Sequence, residues 1–190
     1  FYRSTGRPYN TPFVGLMLMA PCYLKLLAAP RHYFNQELEF TSQTKYKKLQ
    51  ELNQKRPYPI GLLGEVEVHF LHYKSQSEAA EKWNRRKNRI DWDHLFVKFC
   101  MDKDYATRQY LEAFQRLPYK NKICFSRQDY LSPVNYRLHG YVEDGARLFT
   151  QSFREVDMLE WFRSGDIRPN SGWNRVVNPF IGRFLKTTLQ

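Results

Sequence analysis

The apolar positions near the start of the chain predict a strand followed by a helix. Phe13–Met19 is a short continuous apolar run that ends just before Pro21, which is typical of a strand buried on both faces. Residues 22–29 then place apolar side chains at helical spacing, and Pro21 suits the first turn of such a helix. Pro30 is expected to end or kink that helix.

A second strand is predicted where polar and apolar residues alternate at Glu65–Tyr73, after a turn at Ile60–Gly64. Alternation puts successive side chains on opposite faces, and the face that carries Glu67 and His69 is the more polar one. His69 and His72 are three residues apart and therefore point to opposite faces. Only one of these two imidazoles is then able to face a site.

The remaining patterns continue the alternation of strands and helices. Ser75 followed by Glu78 is a capping-box pattern, which predicts that a helix begins there. The other predicted elements are a strand at Glu37–Thr41, a helix within Lys45–Asn53, the capped helix through Lys87, a strand at His94–Met101, a helix closed by Pro118, a strand at Ile123–Phe125, a hairpin of Tyr136–Tyr141 with Arg147–Phe153, a helix at Glu155–Arg163 and a last helix from Asn178. This order predicts an α/β fold with right-handed crossovers, a mainly parallel sheet with helices on both faces, and a less regular C-terminal region.

The composition favours one folded domain. Of 190 residues, 42% are hydrophobic and 16% aromatic, which is enough apolar surface to build a core and excludes disorder as the main state. We expect a single α/β domain over residues 1–165. A basic amphipathic segment, residues 166–190, is expected to follow the domain and pack on it.

The chain is strongly basic, and its charge of +11 predicts attraction to polyanions. The densest basic run, Lys82–Arg89, lies on a predicted helix, where it is either a phosphate-binding surface or a solvated face. Nucleic-acid binding would need exposed aromatic side chains among these cations, but Trp83 falls on the apolar stripe of that helix. Nucleic acid is therefore disfavoured as a partner. Residues 166–190 have an alternative role in peripheral contact with an anionic membrane.

The three cysteines, Cys22, Cys100 and Cys124, are too widely spaced for a disulfide framework or a zinc motif. Each lies in or beside an apolar run, so we expect buried, reduced thiols of a cytosolic protein. No run of 18 apolar residues occurs, and no membrane-spanning segment is predicted. These features predict a cytoplasmic location, with the inner face of the membrane as the alternative.

Candidate site residues follow the predicted strands, because ligands of α/β sheets bind outside the carboxyl ends of parallel strands. Asp102-Lys103-Asp104 comes directly after the strand at His94–Met101. Asp102 and Asp104 are able to share a divalent cation, manganese or magnesium, whose other ligands are the diphosphate oxygens of a nucleotide sugar. The alternative is that Asp104 only caps the next helix.

The other strand ends supply a histidine and two cations. His72 is the candidate general base, and its alternative is a hydrogen-bonded, half-buried histidine. Lys74, Ser75 and Arg127 are the candidate phosphate-binding residues. In this scheme His72 and Asp102 are the catalytic residues. We expect Asp102, His72 and Arg127 to surround a common hollow.

Four blocks of sequence carry a resemblance to a known family. They are Tyr9–Leu16, Val68–Ser75, Glu81–Arg86 and Leu117–Lys122, in this order. Together they are similar to a bacterial domain-of-unknown-function family, number nineteen-nineteen, whose members are often labelled exopolysaccharide biosynthesis proteins. The resemblance implies a role in capsule or exopolysaccharide synthesis and supplies no catalytic residues. It also implies that a first strand, with a Cys-Trp-Gly-Gly-like turn, is missing from this sequence.

Two functional hypotheses follow. The first is a transferase that modifies a surface glycan or its lipid-linked precursor, with a nucleotide sugar or another phosphate-bearing donor and a glycan acceptor as substrates. The second is a non-catalytic partner of the polysaccharide assembly machinery, which uses the basic helix and the C-terminal segment as contact surfaces. Hydrolase, metalloprotease and dehydrogenase activities lack their usual motifs in this sequence.

Overall fold

The computed structural model describes residues 10–171. These residues divide into two compact units, residues 10–92 and residues 93–171, which we call the N-terminal unit and the C-terminal unit. Each unit contains helices and a three-stranded sheet, so the α/β class predicted from the sequence is confirmed. The helix predicted from Asn178 lies outside the described residues, as does most of the segment 166–190.

The N-terminal unit is built on an antiparallel sheet. Its elements are α1 (Ala20–Ala28), α2 (Pro30–Asn35), β1 (Glu39–Thr41), α3 (Lys47–Lys55), β2 (Ile60–Leu63), β3 (Val66–His69) and α4 (Gln76–Lys87). The strands are ordered β1-β2-β3, and both neighbouring pairs are antiparallel. The mainly parallel sheet predicted from the sequence is therefore not confirmed in this unit.

The antiparallel pairing follows from a turn shorter than the one predicted. Ile60–Gly64, predicted as a turn, contains the strand β2, and only Gly64 and Glu65 connect Leu63 to its partner Val66. A two-residue connection joins antiparallel strands, since parallel strands need a crossover of a dozen residues or more. Gly64 has a φ of 56°, which glycine adopts without strain in such a turn.

The apolar run Phe13–Met19 is not the fully buried strand that its composition predicts. Gly15 turns the chain with a φ of 71°, and most side chains of the run are only half-buried. Met17 alone reaches the sheet, where its N–H and carbonyl bond to the backbone of His69 at 2.8 and 2.9 Å. The helix predicted next is confirmed as α1, and Pro30 begins α2.

Helix α4 anchors the N-terminal unit through Trp83, as its helical spacing predicts. Ser75 is the N-cap, and its hydroxyl oxygen accepts the N–H of Glu78 at 3.1 Å, which confirms the predicted helix start. The Trp83 indole is fully buried and stacks on Phe34, with ring centroids 5.4 Å apart. It also meets the ring of Phe70 edge-on at 6.2 Å.

The cations of the run Lys82–Arg89 bond largely within the N-terminal unit. These bonds are Lys82 with Glu78 at 2.6 Å, Arg85 with Glu81 at 3.3 Å, Arg86 with the Tyr73 hydroxyl at 2.5 Å, and Lys87 with the Phe34 carbonyl at 3.2 Å. Three of these cations, Lys82, Arg86 and Lys87, are half-buried in these contacts and are therefore less available to an external anion. The solvated-face interpretation of this helix is therefore favoured over a phosphate-binding surface.

The C-terminal unit contains the parallel sheet. Its elements are β4 (Phe96–Cys100), α5 (Arg108–Arg116), β5 (Asn121–Ser126), β6 (Asn135–Arg137), α6 (Gly145–Glu155) and α7 (Met158–Ser164). The strands are ordered β4-β5-β6, and both pairs are parallel. Helix α5 forms the crossover from β4 to β5, so the predicted strand–helix–strand unit is found here.

Helix α6 replaces the second strand of the predicted hairpin. Arg147–Phe153 was expected to be extended but is helical, and Asp144 caps the helix by accepting the N–H of Arg147 at 2.7 Å. Leu148 and Phe153 are buried in the core of the unit. The helical spacing of these apolar residues and the cap outweigh the strand preference of the aromatic side chains.

The three cysteines lie wholly or partly in the interior. Cys22 and Cys124 are buried and Cys100 is half-buried, and all three are free thiols. Burial raises the pKa of Cys100 and Cys124, which keeps these thiols protonated and unreactive. Among residues 10–171, no helix is long and apolar enough to cross a membrane.

Candidate functional site

Three of the predicted site residues, His72, Lys74 and Ser75, lie in the N-terminal unit. They follow β3, which belongs to the antiparallel sheet. Asp102 and Arg127 follow parallel strands of the other sheet. The prediction that these residues follow adjacent, same-direction strands of one sheet is therefore wrong for the N-terminal three.

The contacts of this N-terminal group are those of a turn and a helix cap. The Ser75 hydroxyl caps α4, and the carboxylate of Glu78 accepts the backbone N–H of Lys74 at 2.8 Å. A hydrogen bond from Lys82, followed by the one from Lys74, lowers the pKa of Glu78. His72 is exposed, and its backbone N–H donates to the backbone carbonyl of Gly15 at 3.2 Å. A base or phosphate-binding role for this group stays a prediction.

Asp102 and Arg127 meet at the carboxyl edge of the parallel sheet, which is the edge at which the sequence predicts a site. β4 and β5 are neighbours, and Asp102 Oδ2 accepts the backbone N–H of Arg127 at 2.7 Å. The other oxygen, Oδ1, accepts the hydroxyl of Tyr130. Burial, and then this hydrogen bond, raise the pKa of Tyr130 to about 12. One carboxylate thus joins the loop after β4 to the loop after β5.

Two cations lie at the same edge. Lys103 Nζ is 3.2 Å from Asp104 Oδ2 and donates to the backbone carbonyl of Glu143 at 3.1 Å. The Arg127 guanidinium pairs with the carboxylate of Glu143 at 2.9 Å and lies 5.6 Å from the centroid of the Tyr141 ring. Both partners of the Arg127–Glu143 pair are more than half exposed. Such a pair contributes little stability and exchanges readily with another anion.

The loop after β6 is fixed by Glu155. Its carboxylate accepts the backbone N–H groups of His139 at 2.7 Å and Gly140 at 2.9 Å, and the side-chain amide of Gln151 at 2.6 Å. Partial burial raises the pKa of Glu155, but these hydrogen bonds outweigh it and lower the pKa overall. The third loop of the carboxyl edge is therefore held in one position.

The backbone of this edge is strained. Asp102, Asp104 and Tyr105 in the loop after β4 have φ values of 64°, 52° and 64°, and Leu131 in the loop after β5 has a φ of 52°. Within residues 10–171, these are the non-glycine residues with positive φ. Side chains rarely adopt this conformation, and it persists where surrounding contacts enforce it, which is frequent at ligand-binding sites.

A divalent cation at Asp102 and Asp104 would have to displace existing contacts. Both oxygens of Asp102 accept hydrogen bonds, and Asp104 is paired with Lys103. In the part of the chain that the structure describes, no group of three or more His, Cys, Asp or Glu side chains is arranged to hold a metal ion. The contacts of Asp102 and Asp104 are therefore not those of a preformed metal centre, and of the two cations at this edge Arg127 is the more exposed, since the Lys103 side chain is 15% exposed.

The sequence patterns missed three residues of this edge. They are Tyr130, Tyr141 and Glu143, and the Tyr141 hydroxyl donates to the carbonyl of Met101 at the end of β4. All three lie in irregular loops, where no periodicity marks a position as inward or outward. Only the carboxyl-edge rule points to such loops, and it selects the strand ends rather than residues further along.

A second polar cluster is buried in the N-terminal unit. Glu67 and His69 are 6% and 0% exposed, although alternation marks their face of β3 as the wetter one. Glu67 accepts the Thr44 hydroxyl at 2.5 Å and the Lys45 N–H at 3.0 Å. His69 Nε2 lies 3.3 Å from the Glu67 carboxylate, and Nδ1 lies 3.3 Å from the hydroxyl of Tyr58. The cluster ties the segment before α3 to the sheet.

This cluster predicts loss of stability in mild acid. Burial lowers the pKa of His69 despite the neighbouring Glu67 carboxylate, so the unfolded chain binds a proton at pH values where the folded chain does not. Stability is then lost as the pH falls below about 6.5, by at most about 1.4 kcal/mol per pH unit. Chemical denaturation between pH 7 and 5 is expected to show a shallower pH dependence for His69→Asn. His72→Asn changes an exposed histidine and is expected to keep the pH dependence of the unchanged protein. If the unfolding free energy depends equally on pH in the unchanged protein, His69→Asn and His72→Asn, the assignment of this pH dependence to His69 is contradicted.

Fold and site together define an α/β protein with a polar, cation-bearing carboxyl edge on a small parallel sheet. The chain belongs to the family described as Domain of unknown function (DUF1919), whose model matches residues 1–162. The family indicated by the four sequence blocks is thereby confirmed. An uncharacterized protein of Haemophilus influenzae is 32% identical over 168 residues, which cover 88% of this chain and 68% of that relative.

Proposed function

We propose that this protein is a transferase of capsule or exopolysaccharide synthesis that binds a phosphate-bearing donor at the carboxyl edge of β4, β5 and β6. The observation that carries the proposal is the meeting of Asp102, Lys103 and Arg127 at that edge. The polysaccharide setting rests on the resemblance to family members that carry this label. In this proposal the acceptor is a glycan or its precursor, and the protein acts on the cytoplasmic side of the membrane.

The Arg127 guanidinium is arranged to take an anion, because it already pairs with one. The carboxylate of Glu143 lies 2.9 Å from it, and guanidinium groups bind phosphate oxygens in the same forked manner. An exposed pair of this kind contributes about 1 kcal/mol at most, so a diphosphate with its larger charge is expected to displace Glu143. Lys103 adds a second cation beside Gly145, the first residue of α6, where helix N–H groups also favour anions.

The reaction class that these groups serve is glycosyl transfer. The acceptor hydroxyl oxygen forms a bond to the anomeric carbon of the donor, and the bond from that carbon to the diphosphate oxygen breaks. The diphosphate leaves with the electron pair, and the hydroxyl proton passes to a base. Cations that hold the diphosphate stabilise the negative charge that develops on it, and we assign this role to Lys103 and Arg127.

Asp102 is given a positioning role in this proposal. Its two oxygens hold the N–H of Arg127 and the hydroxyl of Tyr130, so it sets where the Arg127 side chain leaves the loop. A divalent cation bound by Asp102, Asp104 and diphosphate oxygens is the alternative way to neutralise the leaving group.

The proposal predicts that Arg127→Ala weakens ligand binding by about tenfold or more, since a hydrogen-bonded charge pair contributes about 1.5–3 kcal/mol. Nucleotide sugars and inorganic diphosphate, each with and without Mn²⁺, are screened by thermal shift on the full chain. The dissociation constant of the best ligand is then measured by titration calorimetry. Arg163→Ala is the control, because Arg163 is an exposed arginine that also pairs with a glutamate, Glu160 on α7.

The outcomes separate the hypotheses. Failure of every phosphate ligand to bind would contradict the transferase and leave the non-catalytic partner of polysaccharide assembly. Equal effects of the Arg127 and Arg163 substitutions would contradict the location of the site. If binding requires Mn²⁺ and is lost in Asp104→Asn, the location of the donor site stands. A metal ion at Asp102 and Asp104 then neutralises the charge of the diphosphate.

A further inference from the structure

The most exposed large apolar side chains of the described residues lie at the proposed donor site. Leu131 is 89% exposed and Tyr105 is 48% exposed, and both exceed the other exposed large apolar residues, Leu52 and Leu159. Tyr105 is in the loop after β4, and Leu131 is in the loop after β5. A single exposed leucine is ordinary, but two such side chains on neighbouring loops of one sheet edge are a local feature.

The backbone holds both side chains in this position at an energetic cost. Tyr105 has a φ of 64° and Leu131 a φ of 52°, a region that bulky side chains rarely occupy. The Leu131 N–H donates to the side chain of Asp129 at 2.9 Å, which helps to fix this conformation. Leu131 is 89% exposed, so little packing of its side chain offsets this cost, and a use in binding is expected.

The apolar side chains are close in sequence to the anion-binding groups. Leu131 follows Tyr130, whose hydroxyl donates to Asp102, and Tyr105 comes three residues after Asp102. The same carboxylate holds the N–H of Arg127, whose guanidinium is the proposed phosphate ligand. The same sheet edge therefore offers a cation that can bind phosphate and two apolar side chains. A soluble nucleotide sugar has no hydrocarbon chain that could lie against these two side chains.

We propose that the substrate held at this edge is a diphosphate joined to a hydrocarbon chain, that is, a lipid-linked sugar diphosphate. The diphosphate binds Arg127 and Lys103, and the first part of the isoprenoid or alkyl chain lies against Leu131 and Tyr105. This inference rests on the proposed function and names the class of its substrate. Charge at one end and hydrocarbon at the other match the cationic and apolar parts of the edge.

Two soluble probes test the inference by titration calorimetry on the full chain: inorganic diphosphate, and farnesyl diphosphate below its micelle concentration. Burial of a leucine-sized apolar group predicts that farnesyl diphosphate binds about 10- to 100-fold more tightly than inorganic diphosphate. Leu131→Asn is expected to remove about tenfold of this preference and to leave the affinity for inorganic diphosphate unchanged. Asparagine tolerates positive φ, so this variant keeps the backbone conformation of the loop.

Leu159→Gln, at an exposed leucine of α7, is the matched control and is expected to keep the full preference. Equal affinities for the two probes would overturn the inference, and so would a Leu131→Asn variant that weakens both probes alike. Binding of inorganic diphosphate that depends on Arg127 without a gain from the farnesyl chain would leave the proposed function standing. Absence of binding by both probes would instead contradict the proposed function.

Discussion

A Glu67→Ala variant is expected to lose about 2–3 kcal/mol of the unfolding free energy of the N-terminal unit, because hydrogen bonds to a buried carboxylate contribute about 1.5–3 kcal/mol. The substitution leaves the Thr44 hydroxyl and the Lys45 N–H without their acceptor, and it leaves His69 without the carboxylate beside its Nε2. The Thr44 hydroxyl is half-buried and His69 is fully buried, so water does not fully replace the contacts that these two side chains lose. Denaturant titration combined with amide hydrogen exchange of β3 measures this loss.

Two further variants show whether the loss comes from these contacts. Glu67→Gln keeps the shape of the side chain and one acceptor oxygen, and we expect it to lose roughly half as much stability. Glu81→Ala removes an exposed glutamate of α4 and is expected to change stability by less than about 1 kcal/mol. A Glu67→Ala variant as stable as Glu81→Ala would show that the cluster does not hold the segment before α3.

A Trp83→Ala variant is expected to lose about 3–5 kcal/mol, because it leaves a cavity between α4 and the sheet of the N-terminal unit. Trp83 is among the largest fully buried side chains, and it stacks on Phe34 and meets Phe70. Within residues 10–171 the indole nitrogen has no hydrogen-bond partner, so the expected loss is one of packing. Chemical denaturation followed by circular dichroism measures the effect.

Trp83→Phe serves as the control, since it keeps an aromatic ring against Phe34 and sacrifices no hydrogen bond. We expect it to lose less than half of what Trp83→Ala loses. Equal losses in the two variants would mean that the indole position is not packed as described, and that α4 is held by other contacts.

Local signals in the sequence were sufficient to predict most helices. Ser75 with Glu78 marks the start of α4, Pro21 and Pro30 bound α1, and Pro118 follows α5. Each of these signals acts through the backbone of its own segment, by capping an N–H group or by removing one. Such effects do not depend on the rest of the fold, so they can be read from the sequence.

Strand direction could not be predicted in the same way, because it depends on which segments pair. Because Ile60–Gly64 was predicted to be a turn, the prediction left out β2. It therefore also left out the β2–β3 hairpin that makes the N-terminal sheet antiparallel. The error also assigned the strand before His72 to the same sheet as the strand before Asp102. Where a helix does separate the strands, as α5 separates β4 from β5, the strands are parallel and Asp102 lies beside Arg127.

The burial of Glu67 and His69 was missed for a related reason. Alternation along β3 correctly puts both on one face, but it does not reveal what covers that face. Their cover includes Thr44 and Lys45, which belong to a polar stretch that is typical of an exposed loop. Polar residues that pair with buried polar residues give no apolar signal, so only the folded structure reveals them.

The central claim is that the carboxyl edge of β4, β5 and β6 binds diphosphate through Arg127 and Lys103. Titration of inorganic diphosphate into the ¹⁵N-labelled chain, followed by amide chemical shifts, tests it most directly. We expect the largest shifts at residues 102–105, 127–131 and 139–145, and their loss in Arg127→Ala but not in Arg163→Ala. Shifts confined to residues 66–75 of the N-terminal unit, or no shifts at all, would contradict the claim.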